Sequence, residues 1–108
     1  MAYSIDTNDS ITLTRGDSFF CEFPLYLNGE AYELQEGDQV RFAVKADWDD
    51  TEPCICKQCD GYMLQLDPDD TKMLDFGKYW YDVEITFADG TVITYITKKR
   101  LILDEEVH

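Results

Sequence analysis

The side chains best suited to chemistry are the thiols of Cys54-Ile55-Cys56-Lys57-Gln58-Cys59, three cysteines within six residues. With Cys21 they would make four sulfur ligands, the number a structural zinc takes. Zinc sites usually pair two-residue spacings on tight loops, and here only Cys56 and Cys59 have that spacing. On an extended chain Cys54 and Cys56 share a face, while Cys59 falls near a turn. These thiols read as ordinary buried or half-exposed cysteines. Cys21, Cys54, Cys56 and Cys59 are kept as the metal candidates, and no metal or cofactor is expected.

Two acidic groups, Asp47, Asp49, Asp50 and Asp67, Asp69, Asp70, offer the oxygens a calcium ion wants. Neither matches the Asp-x-Asp-x-Asp-Gly loop that converges ligands by itself. The first reads as a solvated connection and the second as a capped helical turn. In that turn Asp67 caps, Pro68 takes the first helical position and the following acids favour the positive dipole end. His108 is the single histidine and closes the sequence, where a chain end is expected to be mobile. Histidine-dependent nucleophile arrangements therefore have no support. No glycine-rich phosphate loop is present, and paired carboxylates need a cleft that so small a sandwich seldom builds. The reading is non-catalytic. Arg15-Gly16-Asp17 reads as a turn between strands rather than an adhesion tripeptide. Lys98-Lys99-Arg100, the only basic run, reads as an exposed strand end.

Alternation with period two bounded by turn residues dominates the elements that must position these groups. Ile11–Thr14 is a short strand. From Ser18 to Leu27 the odd residues Phe19, Cys21, Phe23, Leu25 and Leu27 should face the core, with an edge or bulge at Pro24, which lacks an amide donor. Asn28-Gly29 predicts a tight hairpin returning through Ala31 to Leu34. Val40, Phe42 and Val44 mark a half-buried strand. Cys54 to Lys57 is a weaker strand, and Tyr62, Leu64 and Leu66 share a face of the next. The helical turn should run through Leu74. Tyr79, Tyr81, Val83, Ile85 and Phe87 form the longest apolar stripe. Asp89-Gly90 turns the chain onto Thr91 to Thr97, and Leu101 and Leu103 extend the sheet. About eight short strands, two tight hairpins and one helical turn predict an all-β sandwich or small barrel. A single domain over residues 1–108 is expected, since 108 residues suit one core.

Asp75-Phe76-Gly77-Lys78-Tyr79-Trp80-Tyr81 favours the sandwich, an immunoglobulin-like antiparallel β-sandwich. In such domains a tyrosine two residues before a core position bonds its hydroxyl back to upstream backbone. Tyr79 fits that role, with Gly77 and Asp75 completing the corner and Tyr81 at the core position. Trp80 then falls on the opposite face, where it either anchors a protein interface or packs against another segment. Trp48, Trp80, Tyr26 and Tyr62 are the candidate interface aromatics.

Acidic residues number 23 against 9 basic ones, a formal net charge of −14. Such a surface repels phosphate backbones and anionic headgroups, so neither nucleic acid nor membrane is expected as a partner. A basic patch on another protein suits it better. No apolar run is long enough for a membrane helix. The start lacks the pattern of a secretory signal, so synthesis in a reducing cytoplasm is expected, with the cysteines as thiols.

Together these segments resemble a family of small prophage proteins related to the amino-terminal domain of the baseplate upper protein of phages that infect Gram-positive bacteria. The resemblance spans about Ile11 to about Leu103. It is carried by Ile11-Thr12-Leu13-Thr14-Arg15-Gly16-Asp17-Ser18, by Gly29-Glu30-x-Tyr32-x-Leu34 and by Asp38-x-Val40-x-Phe42-x-Val44-Lys45. Further on it rests on Leu66-Asp67-Pro68-Asp69-Asp70-Thr71, on Leu74-x-x-Gly77-x-Tyr79-x-Tyr81-Asp82-Val83, and on the Asp89-Gly90 hairpin with Thr94. It implies a non-catalytic virion protein of the tail or baseplate, made in the bacterial cytoplasm. Its implied partners are itself, as a homo-oligomer, or other phage structural proteins. The cysteine cluster and the lack of a fibre-like extension depart from the family pattern. The rival reading is a carbohydrate- or surface-binding β-sandwich module, with Trp48 and Trp80 stacking on sugar rings. A third is a metal-binding regulator using the cysteines.

Overall fold

The computed structural model describes residues 3–5, 10–47 and 49–104, the first three as backbone only. Strands dominate: β1 (Tyr3–Ile5), β2 (Ile11–Thr14), β3 (Phe19–Glu22), β4 (Tyr26–Leu27), β5 (Glu30–Ala31), β6 (Gln39–Lys45), β7 (Ile55–Gln58), β8 (Met63–Leu66), then α1 (Pro68–Lys72), β9 (Gly77–Thr86) and β10 (Val92–Asp104). Six of them form one sheet in the order β1-β2-β10-β9-β6-β7, while β3 pairs with β8 and β4 with β5.

Alternation decides which side chains meet. Val40, Phe42 and Val44 of β6 and Tyr79, Tyr81, Val83 and Ile85 of β9 are buried. Their registers, Val40↔Ile85, Phe42↔Val83 and Val44↔Tyr81, place them on one face. Leu101 and Leu103 of β10 and Ile11 and Leu13 of β2 continue that face. Phe19, Leu64 and Leu66 of the β3–β8 pair join the same core. Phe23 stacks on Phe42 with centroids 5.9 Å apart and tilts on Tyr81 at 5.9 Å. The small sheet thus lies across the core face of the large one, and the other faces of both point outward.

Several expectations need correction. The large sheet is mixed, not antiparallel throughout, because β2 runs parallel to β10 with Ile11 opposite Leu101 and Leu13 opposite Leu103. Strands so distant in sequence are not tied by a hairpin, and either direction puts these four side chains into the core. The strand from Ser18 to Leu27 breaks after Glu22. Pro24 cannot donate to a ladder, and the Asn28-Gly29 turn, with φ of 52° and 82°, closes a separate two-stranded sheet. Leu27 is consequently 40% exposed rather than core-facing. The return strand is only Glu30–Ala31, and α1 ends at Lys72. Lys98-Lys99-Arg100 is no strand end: β10 runs through it continuously to Asp104. The strand accommodates the run with register shifts between Thr94 and Ile96 and between Ile96 and Lys99, and with Lys98 at φ 54°. Strand β1 had no signal in the alternation.

Candidate functional site

Two surfaces carry the features an interaction protein would use. The first is the outward face of the large sheet. Trp80 lies between buried Tyr79 and Tyr81, so strand alternation turns it away from the core. Lys45 of β6 and Arg100 of β10 sit directly opposite it on either side. The Arg100 guanidinium lies 4.0 Å from the indole centroid and the Lys98 ammonium 5.9 Å, distances at which the ring quadrupole attracts a cation. Lys78, two residues along β9 on the same face, is exposed. Asp82 follows on the other side, and burial raises its carboxyl above the usual range while Lys45 opposes that shift. One face of the Trp80 ring is thus occupied by Arg100, which a stacked sugar would have to displace.

The second surface is the far edge of β10. Strand β9 pairs with β10 along its length, but β2 joins the other side only from Leu101 to Asp104. Among the described residues no strand pairs with Val92 to Thr97 on that side. Val92 is 53% and Ile93 39% exposed. Alongside runs a groove lined by Pro24, Leu25, Tyr26, Tyr95 and Ile96. Tyr26 is 61% exposed, whereas the Tyr95 hydroxyl donates to the Phe23 carbonyl at 2.6 Å. Burial pushes the Tyr95 phenol upward.

The remaining sequence candidates serve the fold. Tyr62 is half-buried and donates to the Tyr32 carbonyl at 2.7 Å. Tyr79 donates to the Asp75 carbonyl at 2.7 Å, and Gly77, at φ 137°, starts the strand between them in a conformation that favours glycine. Trp48 and His108 lie outside the described residues. Two of the three acids at α1 are engaged: Asp70 accepts the Asp67 N–H at 2.7 Å and pairs with Lys57 at 3.0 Å, and Asp67 accepts from the Gln65 amide at 3.0 Å. In the β6–β7 connection Asp50 accepts the Asp47 N–H at 3.0 Å, and Asp47 accepts that of Asp49 at 3.3 Å. These carboxylates turn toward their own backbone.

The cysteines do not gather as a zinc site requires. Cys54 N–H bonds to Val44 and Cys59 N–H to Val40, opposite ends of β6 and about 13 Å apart at roughly 3.3 Å per residue. Cys54 and Cys56 are exposed, Cys21 is partly buried and Cys59 is buried, where desolvation lifts its thiol to about 11. Among the described residues no three His, Cys, Asp or Glu side chains are grouped to hold a metal ion.

Two connections went unseen in the sequence. Thr71, fully buried, accepts the Gly16 N–H at 2.9 Å, and Arg15 donates to the Leu74 carbonyl at 3.2 Å with its guanidinium 4.1 Å from the Phe76 centroid. The Arg15-Gly16-Asp17 turn is thereby docked on α1. Asp38 accepts from the Tyr32 hydroxyl at 2.6 Å, the Gln35 N–H at 2.9 Å and the Ala88 N–H at 2.9 Å. Nothing in the sequence tied Asp38 to the β9–β10 hairpin fifty residues away. Compared with protein-family models, curated proteins and solved structures, the chain matches none.

Proposed function

We propose that this protein is a non-catalytic structural module of a phage or prophage particle, of the tail or baseplate, which acts by docking to other particle proteins. In this reading its two layers are an immunoglobulin-like sandwich, supported by the Tyr79–Asp75 corner bond and by Phe23 stacking across the core on Phe42. The chain is made in the bacterial cytoplasm and incorporated into the virion.

The observation that carries the reading is the open edge of β10. Val92-Ile93-Thr94-Tyr95-Ile96-Thr97 contains no charge and no proline, in a chain where 30% of residues are charged. Exposed edges of this composition pair readily with other strands, and proteins that keep them monomeric usually blunt them with lysine or proline. Among the described residues no lysine, proline or covering strand blunts it from Val92 to Thr97, and the Tyr26–Tyr95 groove gives side chains of an added strand a place to sit. A strand from a neighbouring particle protein fits this edge by main-chain hydrogen bonds.

The test is incorporation. Particles released on induction of a host strain carrying the gene should contain the chain, read by mass spectrometry of the purified particle fraction. Val92→Lys with Thr94→Lys, both at exposed positions, should deplete it from that fraction at unchanged expression. A wild-type chain that stays wholly in the particle-free fraction defeats the reading.

A further inference from the structure

The acidic composition calls for a basic partner surface, and this chain carries one. Lys45, Lys78, Lys98 and Arg100, four of its nine basic residues, surround Trp80 on the outward face of the large sheet, and Asp82 and Glu84 follow farther along the same face of β9, so the cationic patch is confined to the Trp80 end. The opposite side of the molecule has the complementary character. On the outward face of β3–β8, Phe20 is 49% and Met63 36% exposed, with Glu22 paired to Met63 and Gln65 to Phe20. Asp60 and Asp67 flank Met63 and Gln65 along a shallow groove that also holds Lys57. Each face therefore has a large apolar or aromatic centre, bordered mainly by cations on one side and mainly by anions on the other.

We infer that the basic Trp80 face of one copy docks on the acidic Phe20–Met63 face of the next, so that copies associate head to tail. This rests on the assembly role proposed above and names a second copy of the chain as the partner of this surface. Charge complementarity selects the occupant. Like patches would bring the cations around Trp80 against their own copies, or the carboxylates around Met63 against theirs, and such contacts are repulsive. Unlike faces place an aromatic anchor within a polar rim, the arrangement of a well-formed interface. The two longer dimensions of the molecule, 45 and 30 Å, accommodate the about 800 Å² per partner of a standard interface. Because the two faces lie on opposite layers, each bound copy presents a fresh face. The contact is heterologous and generates a ring or a filament.

Two variants and their mixture test this. Lys78→Glu with Arg100→Glu disables the basic face, and Phe20→Ser with Met63→Ser disables the acidic one. At low ionic strength the wild-type chain should sediment above its 12.6 kDa monomer mass. Its association should fall about tenfold or more at roughly 1 M salt, where the screening length is about 3 Å. Each variant alone should be monomeric, and their equimolar mixture should form a one-to-one dimer that grows no further. Circular dichroism and urea midpoints establish that the variants are folded. If Arg100→Glu unfolds the chain, Lys78→Glu with Lys98→Glu, both at exposed positions, takes its place. A monomeric wild type, variants that assemble like wild type, or a mixture that stays monomeric each overturns the inference. Loss of assembly with Val92→Lys and Thr94→Lys but with neither face variant also overturns it, while leaving the assembly role standing.

Discussion

Asp38 shows how one carboxylate can hold two turns in place. Its oxygens collect the Tyr32 hydroxyl and the amides of Gln35 and Ala88, so the turn before β6 and the β9–β10 hairpin share an anchor. Hydrogen bonding to Tyr32, then to the Gln35 amide, holds the carboxyl below its ordinary 3.8. The same bond, first among the causes, raises the Tyr32 phenol from 10.0 to about 12. Each shift has its own pH window. A depressed carboxyl stabilises the fold fully above its unfolded value, and that contribution fades as pH falls through the lower folded value. A raised phenol stabilises fully below 10.0, and its contribution is lost as pH rises through about 12. Urea midpoints should therefore fall on acidification below about pH 4 more steeply in the wild type than in Asp38→Asn. At the alkaline end Tyr32→Phe should remove part of the decline above pH 10.0. Identical profiles for wild type and variants would show that the bond is not formed in solution.

At the scale of elements, β10 is two strands in one. Its last four residues lie between β2 and β9, while Val92 to Thr97 pair with β9 alone. Alternation expected Leu101 and Leu103 to extend the sheet, and they do so with both side chains buried. It gave no hint that the basic run would bridge the two halves, since the bulges depend on Arg100 meeting Trp80 while Leu101 enters the core. Amides held between two neighbours open only with larger parts of the sheet, and amides on an open edge exchange by local fraying. Hydrogen exchange should consequently be slower for residues 101–104 than for 92–97, in the free protein. Equal protection along β10 would mean that its edge is already covered. Gly37 sets a further constraint on the element before β6. It has φ 93°, and a Cβ there would stand 2.9 Å from that of Ala88, so the β9–β10 hairpin leaves no room for a larger residue.

For the whole molecule the decisive feature is a single core shared by both layers. Phe42 has no exposure and touches Phe23 at 5.9 Å and Tyr81 at 5.4 Å, so it joins the segment after β3 to the centre of the large sheet. Truncating so central a ring removes transfer free energy and leaves a cavity. Phe42→Ala should lower the unfolding free energy by about 3–5 kcal/mol, read from urea titration. A loss under about 1 kcal/mol, within the range of ordinary surface substitutions, would contradict the shared core.

What the residues determined alone was local. Period-two spacing identified the buried faces of β6, β8 and β9, glycine and asparagine marked the hairpins, and Asp67-Pro68 marked the start of α1, because each depends on neighbours within a few positions. Tertiary structure decided what depends on distant partners. The parallel pairing of β2 with β10, the break of the Ser18–Leu27 strand and the burial of Thr71 against Gly16 follow from contacts across the fold. So does the meeting of Lys45 and Arg100 on either side of Trp80, residues of three separate strands. Their net effect, a basic face on an acidic chain, is invisible in composition because charge counts carry no direction, and only strand register assigns each charge to a side.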